Sequence, residues 1–340
     1  MRGKETALIT GVTGQDGSYL AEFLLGKGYN VVGLVRRTSH LRLDNIRHLA
    51  SKITLEFGDL IDQSCLEAIV AEHKPNEVYN LAAQSVPADS WRQPVVTEEV
   101  TGNGVTRMID ATRKYAPGAR FYQASSREIY GGVKNQEVMD EDTPFLPNNP
   151  YGIAKLHGHL MVKNARESYG MNARGGILFN HESPRRGLHF VTRKVTMGAA
   201  AIKLGIEEPP LNEHGQPLVL DGKLKVGDLT TQRDWGYAKE YVVAMWLMNQ
   251  QDNPTDYVVA TNTIHSVQEL CEVAFGCVGL NWTDHVESDQ QFKRPTEITA
   301  SRGNYARIKK DLGWEPNTSF FDLIAIMVDE DMHKLKNGLI

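Results

Sequence analysis

Tyr151 and Lys155 lie four residues apart, and this pair is the sharpest chemical signal in the sequence. Pro150 suits the first turn of a helix, and the helical pattern continues to Gly170, so both side chains should share one helix face. A tyrosine alone is a poor base at pH 7, but an ammonium group beside it stabilises the phenolate and lowers the pKa of the phenol. The pair could therefore take a proton from a sugar or alcohol hydroxyl. The same spacing is also common on surface helices. The neighbouring segments must therefore show whether this pair has a chemical role.

A second polar cluster, Ser-Ser-Arg-Glu at residues 125–128, follows a buried-strand pattern at residues 119–124. Ligands of open parallel sheets bind at the carboxyl ends of the strands. A hydroxyl and the Glu128 carboxylate are therefore expected at this edge. Glu128 could also be a carboxylate at a helix start with no chemical role.

Three spaced glycines separate the first strand pattern from a helix pattern. Residues 7–10 predict a buried strand, Gly11, Gly14 and Gly17 follow, and helical periodicity begins at Tyr19. Glycines permit positive φ and close backbone approach, so a pyrophosphate can bind at the helix N-terminus, where N–H groups and the dipole favour anions. The order of strand, glycine turn and helix predicts a dinucleotide site.

The second strand, predicted at residues 31–35, is followed by Arg36 and Arg37 and not by an acidic residue. An acidic side chain there would bind a ribose 2′-hydroxyl, whereas arginines suit a 2′-phosphate. NADP is therefore favoured over NAD. An arginine pair could also be an ordinary solvated surface feature.

Two more strand patterns bring small and acidic residues to the same edge. Residues 53–57 precede Asp59, whose carboxylate could bind an adenine amino group or cap the next helix. Residues 77–85 begin as a strand and turn into small residues, which leaves room for a cofactor ribose. We therefore predict an α/β fold, a Rossmann-type doubly wound parallel sheet with a smaller C-terminal substrate-binding region.

Composition limits the class of protein. The 340 residues, of which 41% are hydrophobic, suffice for a Rossmann-sized core and a smaller region. A net charge of −5 makes nucleic acid or an anionic membrane an unexpected partner. The three cysteines fit a reducing, cytoplasmic location and no metal site, and no targeting segment or membrane span is expected.

The second half is predicted to bind a substrate. Residues 1–178 should form mainly the NADP-binding domain and residues 179–340 mainly the nucleotide-sugar region, interleaved with the first. The predicted elements from residue 172 onward are a parallel strand, a proline-rich polar loop, an amphipathic helix and a final helix, at residues 172–180, 207–218, 267–275 and 320–335.

Several motifs extend over nearly the whole chain. They are the three glycines, Asn-Leu-Ala-Ala-Gln-Ser at 80–85, Gln-Ala-Ser at 123–125, the Tyr/Lys pair, and residues 178–187, 190–194, 233–236, 244–246 and 294–297. Together they resemble the GDP-mannose 4,6-dehydratases, which belong to the extended short-chain dehydrogenase/reductases. The glycines and the Tyr/Lys pair mark the superfamily, whereas residues 180–187 and 233–236 are far more specific.

The resemblance implies that the family's catalytic residues correspond to Ser126, Glu128, Tyr151 and Lys155. Tyr151 would take the C4 hydroxyl proton while hydride passes to NADP, and Ser126 would bind the C4 oxygen. The resulting ketone acidifies the C5 proton, which Glu128 could remove while the C6 hydroxyl leaves as water. Hydride then returns to C6, so the product is a 4-keto-6-deoxy sugar and NADP is not consumed.

The resemblance also implies the binding residues. Cofactor contacts fall on Gly11, Thr13, Gly14, Gln15, Asp16, Gly17, Arg36, Arg37, Asp59, Leu60, Leu81, Ala82, Ala83, Tyr151, Lys155, His181 and Arg186. Contacts to the GDP-sugar fall on Ser85, Asn180, Val191, Arg193, Lys194, Arg233, Arg294 and Glu297, of which the arginines could bind the diphosphate. A homo-oligomer, dimer or tetramer, is implied, with residues 36–47 contacting a neighbouring subunit.

Four positions depart from the family pattern: Val86 replaces His, Arg92 and Thr299 each replace Asp, and Arg127 replaces Ser. Arg127 lies between the proposed hydroxyl and the proposed base, so its side chain should either point away or alter the charge there. A related hexose, a longer sugar on GDP or a different nucleotide therefore remains open.

Two other functions compete with dehydration. A nucleotide-sugar 4-epimerase would use Tyr151, Lys155 and the cofactor but needs no base at C5, so Glu128 argues against it. A redox-sensing NADP-binding protein without turnover would not need the complete set of Ser126, Glu128, Tyr151 and Lys155.

Overall fold

The computed structural model describes residues 4–39, 43–134, 136–212, 215–292 and 302–339. The helices within these residues are α1 (Gln15–Gly26), α2 (Gln63–His73), α3 (Pro87–Ser90), α4 (Pro94–Glu98), α5 (Gly104–Tyr115), α6 (Pro150–Tyr169), α7 (Val191–Leu204), α8 (Ala238–Asn249), α9 (Val267–Cys277), α10 (Ala306–Leu312) and α11 (Phe320–Lys336). Short 3₁₀ turns cover Arg47–Leu49, Arg127–Tyr130, Trp282–Asp284 and Gln290–Phe292, and a π turn covers Glu99–Asn103.

The strands within the described residues are β1 (Thr6–Thr10), β2 (Asn30–Val35), β3 (Thr54–Phe57), β4 (Glu77–Asn80), β5 (Arg120–Ser126), β6 (Val138–Met139), β7 (Ala173–Leu178), β8 (Asn180–Glu182), β9 (Val219–Leu220), β10 (Lys223–Val226), β11 (Gln232–Arg233), β12 (Trp235–Tyr237), β13 (Tyr257–Val259), β14 (His265–Ser266), β15 (Val286–Ser288) and β16 (Arg302–Gly303).

Seven of these strands form one parallel sheet in the order β13-β7-β5-β4-β1-β2-β3. The order reverses between β1 and β4, and ligands of doubly wound sheets bind outside the carboxyl ends of the strands at such a point. The predicted Rossmann-type α/β fold is therefore confirmed.

Alternate strand residues pack into two apolar layers, one on each face of the sheet. Ile9 and Tyr79 face a core that α1 and α8 complete, whereas Leu8 and Val78 face a core built with α2, α5 and α6. All four side chains are at most 1% exposed. Burial on both faces holds the strand ends, and hence the polar residues that follow them, in fixed register.

The chain forms two compact units. The first contains the described residues of 1–179, 238–259 and 303–315, and the second those of 180–237, 260–302 and 316–340. The core of the second unit lies between α7, α9 and α11, where the rings of Trp235 and Phe320 stack with centroids 5.8 Å apart. None of the described helices has the length and apolarity needed to cross a bilayer.

Two predicted elements differ in extent from the observed ones. The parallel strand predicted over residues 172–180 is present as β7, but its predicted end is wrong, because β7 ends at Leu178 and Asn180 pairs with Trp235 in a separate two-stranded sheet. In the proline-rich segment, Leu211 and Pro217 form an isolated antiparallel bridge. Residues 213 and 214 of that segment lie outside the described residues.

Candidate active site

Two glycines of the turn after β1, Gly11 and Gly17, have no room for a side chain. Gly11 has φ +72°, and a Cβ added to it would lie 3.0 Å from the backbone nitrogen of Ala82. A Cβ on Gly17 would lie 2.2 Å from the Gly11 carbonyl oxygen, which accepts a hydrogen bond from the Gly14 N–H at 3.0 Å. The close packing of the turn places the start of α1 at the carboxyl edge of the sheet, where its N–H groups could bind a pyrophosphate.

We expect Gly17→Ala to destabilise the protein by about 1–3 kcal/mol, because the added methyl group would overlap backbone atoms that cannot move aside. Gly26→Ala is the matched control, since a Cβ on Gly26, in the last turn of α1, would meet nothing within 4 Å. Urea unfolding of the two variants measures the difference. Equal stabilities would contradict this account of the turn.

Polar side chains connect the ends of β1, β4 and β5. The Thr10 hydroxyl donates to Asn80 Oδ1 at 2.7 Å and accepts from the backbone N–H groups of Leu81 and Ala82, each at 3.0 Å. Asn80 Nδ2 in turn donates to Gln123 Oε1 at 2.7 Å. The backbone predicted to face a cofactor ribose is therefore fixed beside the glycine turn.

The other predicted cofactor residues of the first unit lie around this edge. Arg36 and Arg37 are exposed after β2, and the Arg37 guanidinium lies 4.6 Å from the ring centroid of Phe57. Asp59 accepts from the Ile61 N–H at 3.3 Å and does not cap α2, because Asp62 does. Thr13 lies in the glycine turn, and Gln15 and Asp16 begin α1. Leu60 is buried, Ala83 follows Ala82, and Ser85 is exposed.

Tyr151 and Lys155 are both buried on the face of α6 that packs against β5. Asn149 caps this helix by accepting from the Gly152 N–H at 2.8 Å, and Pro150 occupies its first turn. The Lys155 ammonium lies 5.7 Å from the Tyr151 ring centroid and donates to the Ala124 carbonyl at 2.8 Å. The sequence-predicted pair is thus brought together beside the end of β5.

Burial lowers the pKa of Lys155 to about 8, and attraction to Asp16 opposes this shift. Between pH 8 and the ordinary pKa of 10.5, the unfolded chain holds a proton at this amine that the folded protein has lost. Stability contributed by this group should therefore rise with pH through that window.

We expect wild type to gain, relative to Lys155→Met, at most roughly 3 kcal/mol of unfolding free energy between pH 7 and pH 10. Urea unfolding of both proteins at several pH values measures the gain. A difference that does not change with pH would contradict the lowered pKa.

Ser126 and Glu128 lie at the junction of β5 and the 3₁₀ turn Arg127–Tyr130. The Ser126 hydroxyl accepts from the Glu128 N–H at 3.3 Å. Glu128 is only 7% exposed, and its carboxylate accepts from Asn149 Nδ2 at 2.8 Å and from Arg127 at 3.2 Å. Of the two expectations for Arg127, the structure therefore supports the one in which it alters the charge beside the base.

Asn149 is the residue that sequence reasoning missed. Its amide joins the N-terminus of α6 to the Glu128 carboxylate, so one side chain sets the position of Tyr151's helix and of the proposed base. The signal was present, because an asparagine directly before Pro150 is typical of a helix N-cap.

In the second unit, β8 and the segment after it carry the next predicted residues. Asn180 and His181 pair in parallel with β12. Arg186 lies 3.2 Å from the buried Glu182 carboxylate, and its guanidinium stacks 3.5 Å from the Phe190 ring centroid. Val191 begins α7.

The contacts of Arg193 differ from its predicted role of binding the diphosphate. Its Nε donates to both oxygens of the buried Asp331 at 2.9 and 3.1 Å, and its NH1 donates to the Arg186 carbonyl at 3.0 Å. These bonds join α7 to α11 within the second unit and favour a structural role for Arg193.

The remaining predicted substrate residues divide into described and undescribed positions. The Lys194 ammonium lies 4.0 Å from the ring centroid of Phe292, and Arg233 is 7% exposed in β11. Arg294 and Glu297, and the departing position Thr299, lie outside the described residues.

Solved structures share this fold. A UDP-glucose 4-epimerase from Thermotoga maritima, solved with UDP-glucose, has a TM-score of 0.81 and 22% identity, with 98% of this chain and 100% of that chain covered. A dTDP-glucose 4,6-dehydratase from Bacillus anthracis, in complex with NAD, has a TM-score of 0.81 and 19% identity, with 98% of each chain covered.

Sequence comparison is more specific. The family model for GDP-mannose 4,6 dehydratase matches residues 8–327. GDP-mannose 4,6 dehydratase 1 of Arabidopsis thaliana is 44% identical over 99% of this chain and 92% of its own length. The human GDP-mannose 4,6 dehydratase is 42% identical, with coverages of 98% and 93%, and that of Sinorhizobium fredii is 42% identical, with 99% of both chains covered. The chain therefore belongs to the GDP-mannose 4,6-dehydratase family.

Proposed function

We propose that this protein removes water from GDP-mannose, or from a closely related GDP-hexose, to give the 4-keto-6-deoxy sugar. The observation that carries the proposal is that Ser126, which is partly buried, and the buried residues Glu128, Tyr151 and Lys155 lie where β5 and its following turn pack against the start of α6. The reaction needs a Tyr/Lys pair and a hydroxyl for oxidation at C4, and a second base for removal of water across C5 and C6. These four residues supply all of these groups.

Tyr151 acts at the C4 hydroxyl. Lys155, whose ammonium is near the ring, stabilises the phenolate, which takes the C4 hydroxyl proton, and Ser126 donates a hydrogen bond to the C4 oxygen. When bound at the glycine turn, a nicotinamide dinucleotide supplies reversible acceptance of a hydride. Glu128 takes the acidified C5 proton and passes a proton to the departing C6 hydroxyl.

NADP is our proposal for the dinucleotide, because Arg36 and Arg37 are exposed where β2 ends and can form charge-assisted bonds to a 2′-phosphate. We expect NADP to bind at least about tenfold more tightly than NAD, or about 1.4 kcal/mol. Calorimetry on cofactor-free protein measures both affinities. The double variant Arg36→Ser and Arg37→Ser should lose the preference, and the exposed Arg47→Ser should keep it; equal wild-type affinities would contradict the assignment.

The GDP portion is assigned mainly to the second unit, through Asn180, Lys194 and Arg233, together with Arg294 and Glu297. Arg193 is left out of this set because its guanidinium is bound to Asp331. We also propose that the protein is a cytoplasmic homo-oligomer, either a dimer or a tetramer.

A mass-spectrometric screen of nucleotide sugars tests the function directly. We expect loss of one water from GDP-mannose or another GDP-hexose and no loss from UDP- or dTDP-hexoses. Epimerisation leaves the mass unchanged, so a product of unchanged mass that separates from its substrate by chromatography would support a 4-epimerase instead. Conversion of a UDP- or dTDP-sugar in preference to every GDP-sugar would contradict the assignment of guanosine.

A further inference from the structure

Arg127 is a buried cation between two residues to which dehydration chemistry is assigned. β5 ends at Ser126, and the chain turns at once into Arg127–Tyr130, so Arg127 and Glu128 enter the interior side by side. They are 4% and 7% exposed. A buried guanidinium and a buried carboxylate stabilise each other, because burying an unpaired charge costs free energy.

The two oxygens of Glu128 have donors of different kinds. Arg127 NH2 lies 3.2 Å from Oε1 and is charged, whereas Asn149 Nδ2 lies 2.8 Å from Oε2 and is neutral. The neutral donor is held rigidly, since Asn149 caps α6 and a Cβ on Gly152 would lie 2.6 Å from the Glu128 carbonyl oxygen. Asn149 thus sets the direction of the carboxylate, and Arg127 sets its charge.

We propose that Arg127 is a positioning residue that makes Glu128 a transient proton carrier between C5 and the C6 hydroxyl, an inference that rests on the proposed function. Before reaction, the ion pair keeps Glu128 ionised and able to accept a proton. Once the C5–H bond breaks and the proton reaches Glu128, Arg127 stands beside a neutral acid. Passing that proton to the C6 oxygen restores the ion pair.

The bonds balance in this sequence. The electron pair of the C5–H bond becomes the C5–C6 double bond, and the pair of the C6–O bond leaves with the oxygen as water. Arg127 gains no proton and loses none. Its effect is to destabilise protonated Glu128, so that the proton is delivered forward and the base is regenerated within the same turnover.

Among the described residues, α6 packs against the turn and brings further titratable side chains to this region, including Tyr151 and Lys155. The Lys155 ammonium donates to the Ala124 carbonyl. Arg127 contacts the carboxylate directly, so its removal should have the larger effect on Glu128.

The first experiment follows the Glu128 carboxyl by ¹³C NMR in protein labelled at glutamate, with the signal identified by its absence in Glu128→Gln. We expect Arg127→Gln to raise the titration midpoint by about 1–3 pH units and Arg127→Lys to leave it close to wild type. Arg113→Gln, on the exposed face of α5, is the control and should change nothing. An unchanged titration midpoint in Arg127→Gln would overturn the proposal. A wild-type midpoint above the ordinary glutamate value of about 4.3 would also overturn it, and this second test does not depend on the folding of any variant.

The second experiment measures the pH profile of kcat/KM with GDP-mannose. The acidic limb should move to higher pH in Arg127→Gln and return in Arg127→Lys, an effect that a merely structural role would not produce. If the titration midpoint moved but wild type dehydrated neither GDP-mannose nor any other GDP-hexose, the proposed function would be refuted and the ion pair between Arg127 and Glu128 would stand. Dehydration with an acidic limb that is the same in all three proteins would refute the role of Arg127 alone.

Discussion

Glu128→Gln should bind cofactor and GDP-sugar normally yet lose water elimination by roughly 10²–10⁴-fold. The glutamine amide keeps the size of the side chain and can still bond to Asn149, but it cannot take a proton from C5. Oxidation at C4 should then outrun elimination. Single-turnover measurements should show a persistent absorbance of reduced nicotinamide and no incorporation of solvent deuterium at C5.

Glu167→Gln is the matched control for this variant, because Glu167 lies on the exposed face of α6, and its side chain is 58% exposed. It should retain wild-type activity. If Glu128→Gln eliminated water at the wild-type rate, Glu128 would not be the C5 base, and an epimerase-like use of Tyr151 and Lys155 would become the better explanation.

Tyr151→Phe should stop the reaction one step earlier, with a loss of at least roughly 10²-fold in kcat. The ring remains in its buried place beside Lys155, so the fold and the cofactor site should survive, but no group is left to accept the C4 hydroxyl proton. Reduced nicotinamide should therefore not accumulate at all, in contrast to Glu128→Gln.

Tyr169→Phe, at the exposed C-terminal end of the same helix, is the control and should behave as wild type. A double variant, Tyr151→Phe with Glu128→Gln, should show no absorbance change. Accumulation of reduced cofactor in Tyr151→Phe would mean that another group accepts the C4 proton, and Ser126 would be the first to examine.

The sequence predicted the parts of the site that depend on regular periodicity. The strand before Gly11 and the helix from Pro150 follow from apolar patterns and helix-start signals, and the structure has both within a residue or two of the expected limits. These features are local, so neighbouring residues carry the information needed to infer them.

Contacts between distant segments could not be predicted in this way. No local sequence pattern indicates that Asn149 donates to Glu128, or that the Arg193 guanidinium donates to Asp331, 138 residues further along the chain. Local sequence does not distinguish a surface arginine from a buried one, because burial depends on elements that are distant in the sequence and pack together on folding. Family resemblance predicted which residues belong to the site but not which side chains hold the others in place.

Asn149 also has a consequence for the chemical ageing of the protein. Asparagine usually deamidates when the following backbone nitrogen attacks its side chain, and in this chain that nitrogen belongs to Pro150, which has no N–H and cannot close the ring. An aspartate formed at this position would put a second carboxylate against Glu128, where like charges favour protonation of one of them. The proline that starts α6 therefore also protects the Asn149 amide from this route of deamidation, and with it the neutral partner of the Glu128 carboxylate.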